Sequence, residues 1–394
     1  MSSARELLQK HWGWSDFRPG QKEVIDASLS GKNTLVVLPT GGGKSLCFQL
    51  TALLQDGICV VVSPLVALMI DQVSALKIKN IRAMSIHGSM GENKLVEALD
   101  QCAFGKIKLL YLSPERLRNP IVCERLKTLP ISLLAVDEAH CISKWGHDFR
   151  PAYRQIAQFH SIINKPPVMA LTATATQRVK ADIISSLELE DTQLIQTSFF
   201  RPNLSYQVIN TENKLGAIQS MLKNSSGNTI LYLRTRQHCE TLVEQLRMEG
   251  IHARYFHGGS SKKSELIDDW QSGREPIMVA TSAFGMGIDQ ANVRQVIHVA
   301  LPESIESYYQ EAGRAGRDEQ PAKATIVTST RDMQVENNQF LATIPKADLV
   351  RQVYVKLCAY FQIAYGELTL EPLDMSFNNF VNTYNFPSKK TGII

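Results

Sequence analysis

The sequence has no apolar run approaching the roughly 20 residues that a membrane-spanning helix requires. It also has no apolar leader, since it opens on Met1-Ser2-Ser3-Ala4-Arg5-Glu6. Both absences point to a protein kept inside the cell, and no membrane partner is expected. Paired cysteines are missing as well. The seven cysteines, Cys47, Cys59, Cys102, Cys123, Cys141, Cys239 and Cys358, include no two at zinc-knuckle spacing. They read as reduced, mostly buried thiols, and no zinc site is expected. Low-complexity segments and short repeats are absent. So is an extreme of charge: a net charge of +4 with a pI near 8.6 permits a polyanionic partner without demanding one. What remains is a chain of 394 residues, 44% hydrophobic and 20% charged, which suits a globular protein of two domains and a remainder.

Short apolar runs alternate with helical stretches. Thr34 to Leu38, Ile58 to Val62, Lys108 to Leu112 and Leu133 to Val136 are apolar throughout, the mark of strands buried on both faces of a parallel sheet. Between them lie helical patterns such as Leu65 to Lys77. The rhythm returns at Thr229 to Leu233, His252 to Phe256, Pro276 to Ala280 and Val296 to Val299. Two α/β domains in tandem follow. The polar, Pro-broken stretch from Ser198 to about Glu212 marks the boundary. After Thr330 the strand rhythm stops, and Val350, Val353, Leu357 and Phe361 share one helical face. The expected division is 1–205, 206–335 and a helical segment 336–394. The last residues, Thr391-Gly392-Ile393-Ile394, read as the start of another element. A truncated or split protein is expected, with an accessory domain or partner beyond residue 394.

Two motifs carry chemistry directly. Thr40-Gly41-Gly42-Gly43-Lys44-Ser45 follows a strand and precedes a helix, the setting of a phosphate-binding loop. Glycines let backbone N–H groups curl around phosphate oxygens, and the helix N-terminus adds a favourable dipole. Lys44 would neutralise the β- and γ-phosphates of ATP, and the Ser45 hydroxyl would hold Mg²⁺. One departure stands out: the usual first glycine, six residues before the lysine, is Leu38 here. Val136-Asp137-Glu138-Ala139-His140 closes a second apolar strand. Asp137 would bind Mg²⁺ and Glu138 would orient and deprotonate the attacking water.

Further segments make the chain resemble the RecQ family of DNA helicases, within helicase superfamily 2, whose members commonly lack that first glycine. Trp12-Gly13-Trp14-Ser15-Asp16-Phe17-Arg18-Pro19-Gly20-Gln21 looks like the family's adenine-recognition motif. By that resemblance the Gln21 amide pairs with adenine N6 and N7, Trp14 stacks on the ring, where the family more often has Tyr, and Arg18 supports the loop or a phosphate. Cys141-Ile142-Ser143-Lys144-Trp145-Gly146-His147-Asp148-Phe149-Arg150-Pro151 resembles the family's aromatic-rich loop. It offers Trp145 and Phe149 as stacking platforms, with Lys144 and Arg150 for phosphate, a combination suited to single-stranded DNA. The loops beginning at Ser63 and Ser113 look like strand-end DNA contacts. Leu171-Thr172-Ala173-Thr174-Ala175-Thr176 matches the motif linking hydrolysis to movement, and His140 is implied to couple nucleotide state to DNA.

In the second half, Ala280 to Asp289 resembles the fifth motif, where Asp289 touches ribose. Gln310-Glu311-Ala312-Gly313-Arg314-Ala315-Gly316-Arg317 resembles the sixth, with Arg314 and Arg317 expected on one helical face as arginine fingers. The resemblance covers about residues 7 to 330. It implies two tandem RecA-like domains, use of ATP with Mg²⁺, single-stranded and partly duplex DNA as partner, 3′-to-5′ movement, and work in recombination or repair. The implied location is cytoplasmic, at a bacterial nucleoid, with a eukaryotic nucleus as the alternative. The family's cysteine-rich zinc module has no counterpart after Thr330, where only Cys358 occurs. Rival readings are a translocase that moves without efficient unwinding, an RNA helicase, and a nucleic-acid-binding protein whose ATPase has decayed.

Overall fold

The computed structural model describes residues 3–88, 90–146, 148–223, 225–284, 290–339, 344–367 and 373–392. They divide into two compact units, Met1–Val208 with Ile218–Ile326, and Ile209–Ala217 with Val327–Ile394.

The first unit is built on two sheets. In the first, β1 (Thr34–Val37), β2 (Ile58–Val62), β3 (Ala83–Ile86), β4 (Leu109–Leu112), β5 (Ile131–Val136), β6 (Val168–Thr172) and β7 (Gln193–Gln196) lie in the order β3-β4-β2-β5-β6-β1-β7. Every pairing is parallel. The apolar runs explain it: β1, β2, β4 and β6 are buried along their whole length, as strands covered on both faces must be. One core lies on each side, around Phe159 and Tyr153 on one and Phe48 and Tyr111 on the other.

The second sheet contains β8 (Leu204–Asn210), β9 (Asn228–Tyr232), β10 (Arg254–Phe256), β11 (Ile277–Ala280), β12 (Val293–His298) and β13 (Ala322–Thr328), in the order β10-β11-β9-β12-β13-β8. Its core centres on the fully buried Trp270 and Phe284. Here the boundary stretch holds more than its Pro-broken composition promises, because Leu204 onward forms β8. That strand lies at the sheet edge and is largely exposed, Tyr206 and Val208 included, so its apolar residues are interleaved with polar ones instead of forming the unbroken run of a strand covered on both faces.

Helices dominate after Thr328, at Thr330–Gln339, Ala347–Phe361, Phe377–Tyr384 and Ser388–Thr391. Val353, Phe380 and Val381 form a small core there, with Leu357 and Tyr384 against it. Val350, expected on the buried face, is exposed. No helix among the described residues is long and apolar enough to cross a membrane.

The topology fixes where chemistry can sit. In a parallel sheet every strand ends on the same edge. Ser63 follows β2, Asp137 follows β5, Thr172 ends β6, and the phosphate-loop sequence follows β1, so all four meet at one edge although the sequence spreads them over more than a hundred residues.

Candidate nucleotide and nucleic-acid site

The loop after β1 turns through two left-handed glycines, Gly41 (φ +79°) and Gly43 (φ +73°), into the helix Lys44–Leu54. A side chain at Gly43 would strike the Gln21 amide, with Cβ only 2.3 Å from Nε2. The loop is therefore a close-fitting cradle that only glycine can line. Lys44 is half-buried, and its Nζ donates to the Leu38 carbonyl at 3.3 Å. Burial lowers the pKa of its ammonium, the Glu138 and Asp137 carboxylates raise it in part, and Arg317 lowers it again.

Asp137 and Glu138 stand where β5 ends. Burial, and then the Glu138 charge, push the Asp137 carboxyl up from 3.8 to about 7, against the pull of Lys44. The backbone carbonyl of Asp137 accepts from the buried Tyr153 hydroxyl at 2.9 Å, which pins the turn. Glu138 adopts φ +47°, ψ +48°, a conformation that costs a non-glycine residue roughly 1–3 kcal/mol. A buried carboxyl held part-protonated beside a lysine is a site short of positive charge, and it suits a divalent cation. A proton kept to about pH 7 in the folded chain, but lost near 3.8 once unfolded, makes stability fall as pH rises between those values. Cation binding must displace that proton. Mg²⁺ affinity measured with nucleotide present is expected to rise several-fold from about pH 6 to about pH 8, with uptake of base by the solution. A flat profile would mean that Asp137 is already ionised.

A cavity of about 610 Å³ opens over this edge. From the first sheet it is lined by Trp14, Arg18, Thr40, Gly41, Gly43, Lys44, Ser45, Asp137, Glu138 and His140. From the second come Tyr232, Arg234, His298, Gln310, Glu311, Arg314 and Arg317. Residues from both halves of the sequence thus share one space. The Arg317 side chain reaches so far that a Cβ on Gly41 would lie 3.2 Å from its Cγ.

Behind the cavity runs a hydrogen-bonded chain. The Thr172 hydroxyl gives its proton to the Thr174 carbonyl (2.9 Å), so His140 Nδ1, 2.9 Å away, must carry a proton and donate to it. The same Nδ1 lies 3.3 Å from Glu138 Oε2. Beyond, Gln310 Nε2 donates to the Thr174 hydroxyl at 3.5 Å. His140, Thr172, Thr174 and Gln310 are thus joined by hydrogen bonds that run from one sheet's edge to the other domain, and the Glu138 carboxylate stands beside His140 at their start without a hydrogen bond to it.

Several expectations change on inspection of the fold. Arg314 and Arg317 are not on a helical face: the helix Ile305–Ala312 ends before them, Gly316 takes φ +61°, and both arginines ride on the turn beyond. They nevertheless line the cavity together. Gln21 is fully buried. Its Nε2 donates to the Gly42 and Gly43 carbonyls (3.0 and 3.3 Å) and its Oε1 accepts from the Arg18 N–H (2.9 Å), so its amide is committed to the phosphate loop rather than open to a base. Arg18 donates to the Gly41 carbonyl and lies over the Trp14 ring at 5.6 Å. Trp14 itself faces the cavity, half-exposed. Arg150 is bound to the Pro64 carbonyl (2.6 Å) and to Asp148 (3.3 Å), so it ties the aromatic-rich loop to the loop at Ser63 instead of facing solvent. Phe149 is half-buried with Arg154 across its ring, whereas Trp145 is 60% exposed. The Ser63 hydroxyl lies beside the Asp137 carboxyl. Asp289 falls outside the described residues.

Sequence reasoning passed over Tyr153, and also Arg201 and Asn203. Arg201 Nη1 donates to the Gly313 carbonyl at 2.8 Å and Nη2 to that of Gly316, while Asn203 Nδ2 donates to the carbonyls of Gly316 (2.8 Å) and Gln320 (2.9 Å). Their only signal was two polar side chains flanking Pro202 in the boundary stretch. His298 and Glu311, paired at 2.8 Å in the cavity wall, were equally silent.

Comparison with known proteins agrees with this architecture. Residues 18–182 match the DEAD/DEAH box helicase family and residues 213–319 the helicase conserved C-terminal domain. The mycobacterial helicase Lhr, solved with single-stranded DNA and AMP-PNP, superposes with a TM-score of 0.67 at 22% identity, over 97% of this chain and 52% of that one. Yeast Dbp5, solved with RNA and ADP BeF3, gives 0.65 at 17% identity, over 86% of this chain and 92% of that one. At such identity these likenesses establish the fold: tandem RecA-like domains. Among curated relatives, ATP-dependent DNA helicase RecQ of Bacillus subtilis is 41% identical over 84% of this chain and 57% of its own length. The RecQ helicase of Pasteurella multocida is 40% identical over 84% of this chain and 53% of its own. The chain thus spans little more than half of those relatives. It covers 71% of the Synechocystis ATP-dependent DNA helicase RecQ, at 39% identity. The chain belongs to the RecQ family of DEAD/DEAH-box helicases.

Proposed function

We propose that the chain is the ATP-driven motor of a RecQ-type DNA helicase, coupling ATP hydrolysis to 3′-to-5′ movement on single-stranded DNA and to duplex unwinding in recombination or repair. The observation that carries this reading is the path His140–Thr172–Thr174–Gln310, with Glu138 beside its start. It runs from beside the carboxylates at the end of β5 to the second RecA-like domain, and His140 leads directly into the loop that exposes Trp145. A change at the nucleotide has a physical route both to the facing domain and to a stacking surface.

In this reading Thr40 to Ser45 cradle the phosphates, Lys44 neutralises them, and Ser45 and Asp137 hold Mg²⁺, which supplies charge neutralisation when bound. Glu138 orients the attacking water and takes its proton. Arg314 and Arg317 approach from the other wall, and Gln310 reports their position through Thr174. Trp14 stacks on adenine, Gln21 reads the base after leaving the Gly42 and Gly43 carbonyls, and Asp289 touches ribose. Trp145 and Phe149 stack on bases, with Ser63 nearby, while Arg150 holds their loop in place. We assign the division into 1–205, 206–335 and 336–394 and a cytoplasmic, bacterial location on the same footing.

A strand-displacement assay on 3′-tailed and 5′-tailed duplexes, with and without ATP, tests the whole reading. Separation only of the 3′-tailed substrate, only with ATP, is expected. DNA-stimulated hydrolysis without displacement would make the chain a translocase, and stimulation by RNA alone would make it an RNA enzyme. Trp145→Ala is expected to remove most DNA stimulation while leaving basal hydrolysis; full stimulation in that variant would reduce the aromatic loop to a structural element.

A further inference from the structure

The exposed face of Trp145 already has a partner. The Arg178 guanidinium carbon lies 3.3 Å above the centre of the Trp145 ring, a closely stacked cation–π contact. Arg178 itself is exposed, in the first turn of the helix Gln177–Ser186. That helix starts three residues after Thr174 and is capped by Thr176, whose hydroxyl accepts from the Val179 N–H at 3.3 Å. One turn further on, Asp182 accepts a 2.6 Å hydrogen bond from the Ser143 hydroxyl, which in turn accepts from the Trp145 N–H at 3.1 Å. Positions 178 and 182 lie on the same helical face. A single face of one helix therefore grips the loop twice: a strong tie at Ser143, and a stack over the indole.

These two grips differ in what a nucleic acid does to them. The Ser143–Asp182 bond joins two side chains and offers no π surface. The Trp145 stack covers one of the two indole faces, a surface a base would use. An exposed cation–π pair is the weaker contact, and a base stacked on an aromatic side chain the stronger. The base wins the exchange. The guanidinium it displaces remains tethered within a side chain's length of the bound strand, whose phosphates offer it a bidentate partner while Asp182 on its own helical face stays engaged with Ser143.

We propose that Trp145 and Arg178 form a nucleic-acid-operated gate: closed on each other without DNA, opened when a base of single-stranded DNA takes the indole, with Arg178 then passing to the adjacent phosphate. Arg178 thereby becomes a second DNA contact that exists only after the first has formed, at the start of the helix that follows Thr172–Thr176. This rests on the reading of Trp145 as a single-strand contact.

The test is binding of oligothymidylate, and of an abasic oligonucleotide of equal length, measured by anisotropy across a salt series. On oligothymidylate, Arg178→Ala is expected to weaken binding and to cut the slope of log affinity against log salt by about 0.7, the signature of one lost phosphate contact on a single strand. Arg178→Lys should restore that slope, which excludes a folding defect. On the abasic strand no base opens the gate, so Arg178→Ala should change the slope little. An unchanged slope on oligothymidylate, or tighter binding by Arg178→Ala, overturns the proposal. An equal loss of slope on both strands also overturns it, by making Arg178 an ordinary phosphate contact. Failure of the unaltered chain to bind either strand would instead overturn the helicase reading and the gate with it.

Discussion

Lys44→Ala is expected to remove ATP hydrolysis, by at least about 10²–10³-fold, while single-stranded DNA still binds. The size follows from the site. Lys44 is the half-buried cation facing Asp137 and Glu138, and a water in its place would leave both carboxylates without its positive charge. Removing it lets the Asp137 carboxyl rise further, so Mg²⁺ affinity near neutral pH should fall along with turnover. Trp145 and Arg178 lie on other elements and keep their geometry, so DNA affinity is an internal control. Near-normal turnover in this variant would remove Lys44 from the site altogether.

Arg317→Ala is expected to lower turnover by roughly 10³–10⁵-fold with ATP binding largely kept, the range found for arginines supplied across a cleft to a transferring phosphoryl group. Arg317 reaches Gly41 from the second sheet, so it meets the phosphate loop only by virtue of how the two domains pack. Arg317→Lys should recover little of the loss, because an ammonium is a point charge and cannot reproduce the planar fork. A decrease below about tenfold, with steady-state kinetics resolved into kcat and KM, would rule out a role at the transferring phosphate.

What could be read in the linear sequence was whatever repeats a simple physical rule. Strands covered on both faces announce themselves as unbroken apolar runs, and β2 begins and ends where its run does, at Ile58 and Val62. The phosphate loop was legible because glycines, lysine and hydroxyl are adjacent in the chain. Edge strand β8 was hidden because solvent, not core, faces most of it. Placing Arg314 and Arg317 on a helix failed because three-residue spacing suits a helix and a tight turn alike, and the Gly316 left-handed turn decides between them. Gln21 and Arg150 show a different limit. Composition indicates that a side chain can hydrogen-bond, but its partner is set by what the fold brings near, here the carbonyls of Gly42, Gly43 and Pro64. The family resemblance fixed the identities of these residues without fixing their contacts.

The arginines are carried on a turn whose two ends are held by the connector between the domains. Arg201 grips the carbonyls of Gly313 and Gly316, Asn203 those of Gly316 and Gln320, and the Tyr309 hydroxyl donates to the Phe199 carbonyl at 3.3 Å. The connector and the turn that bears the arginines are thus tied to one another. A swing of one domain against the other would be borne by Phe199 to Asn203 and, through these bonds, felt at the turn that bears Arg314 and Arg317. Lengthening the connector by one or two residues is expected to loosen that tie without altering any residue that lines the cavity.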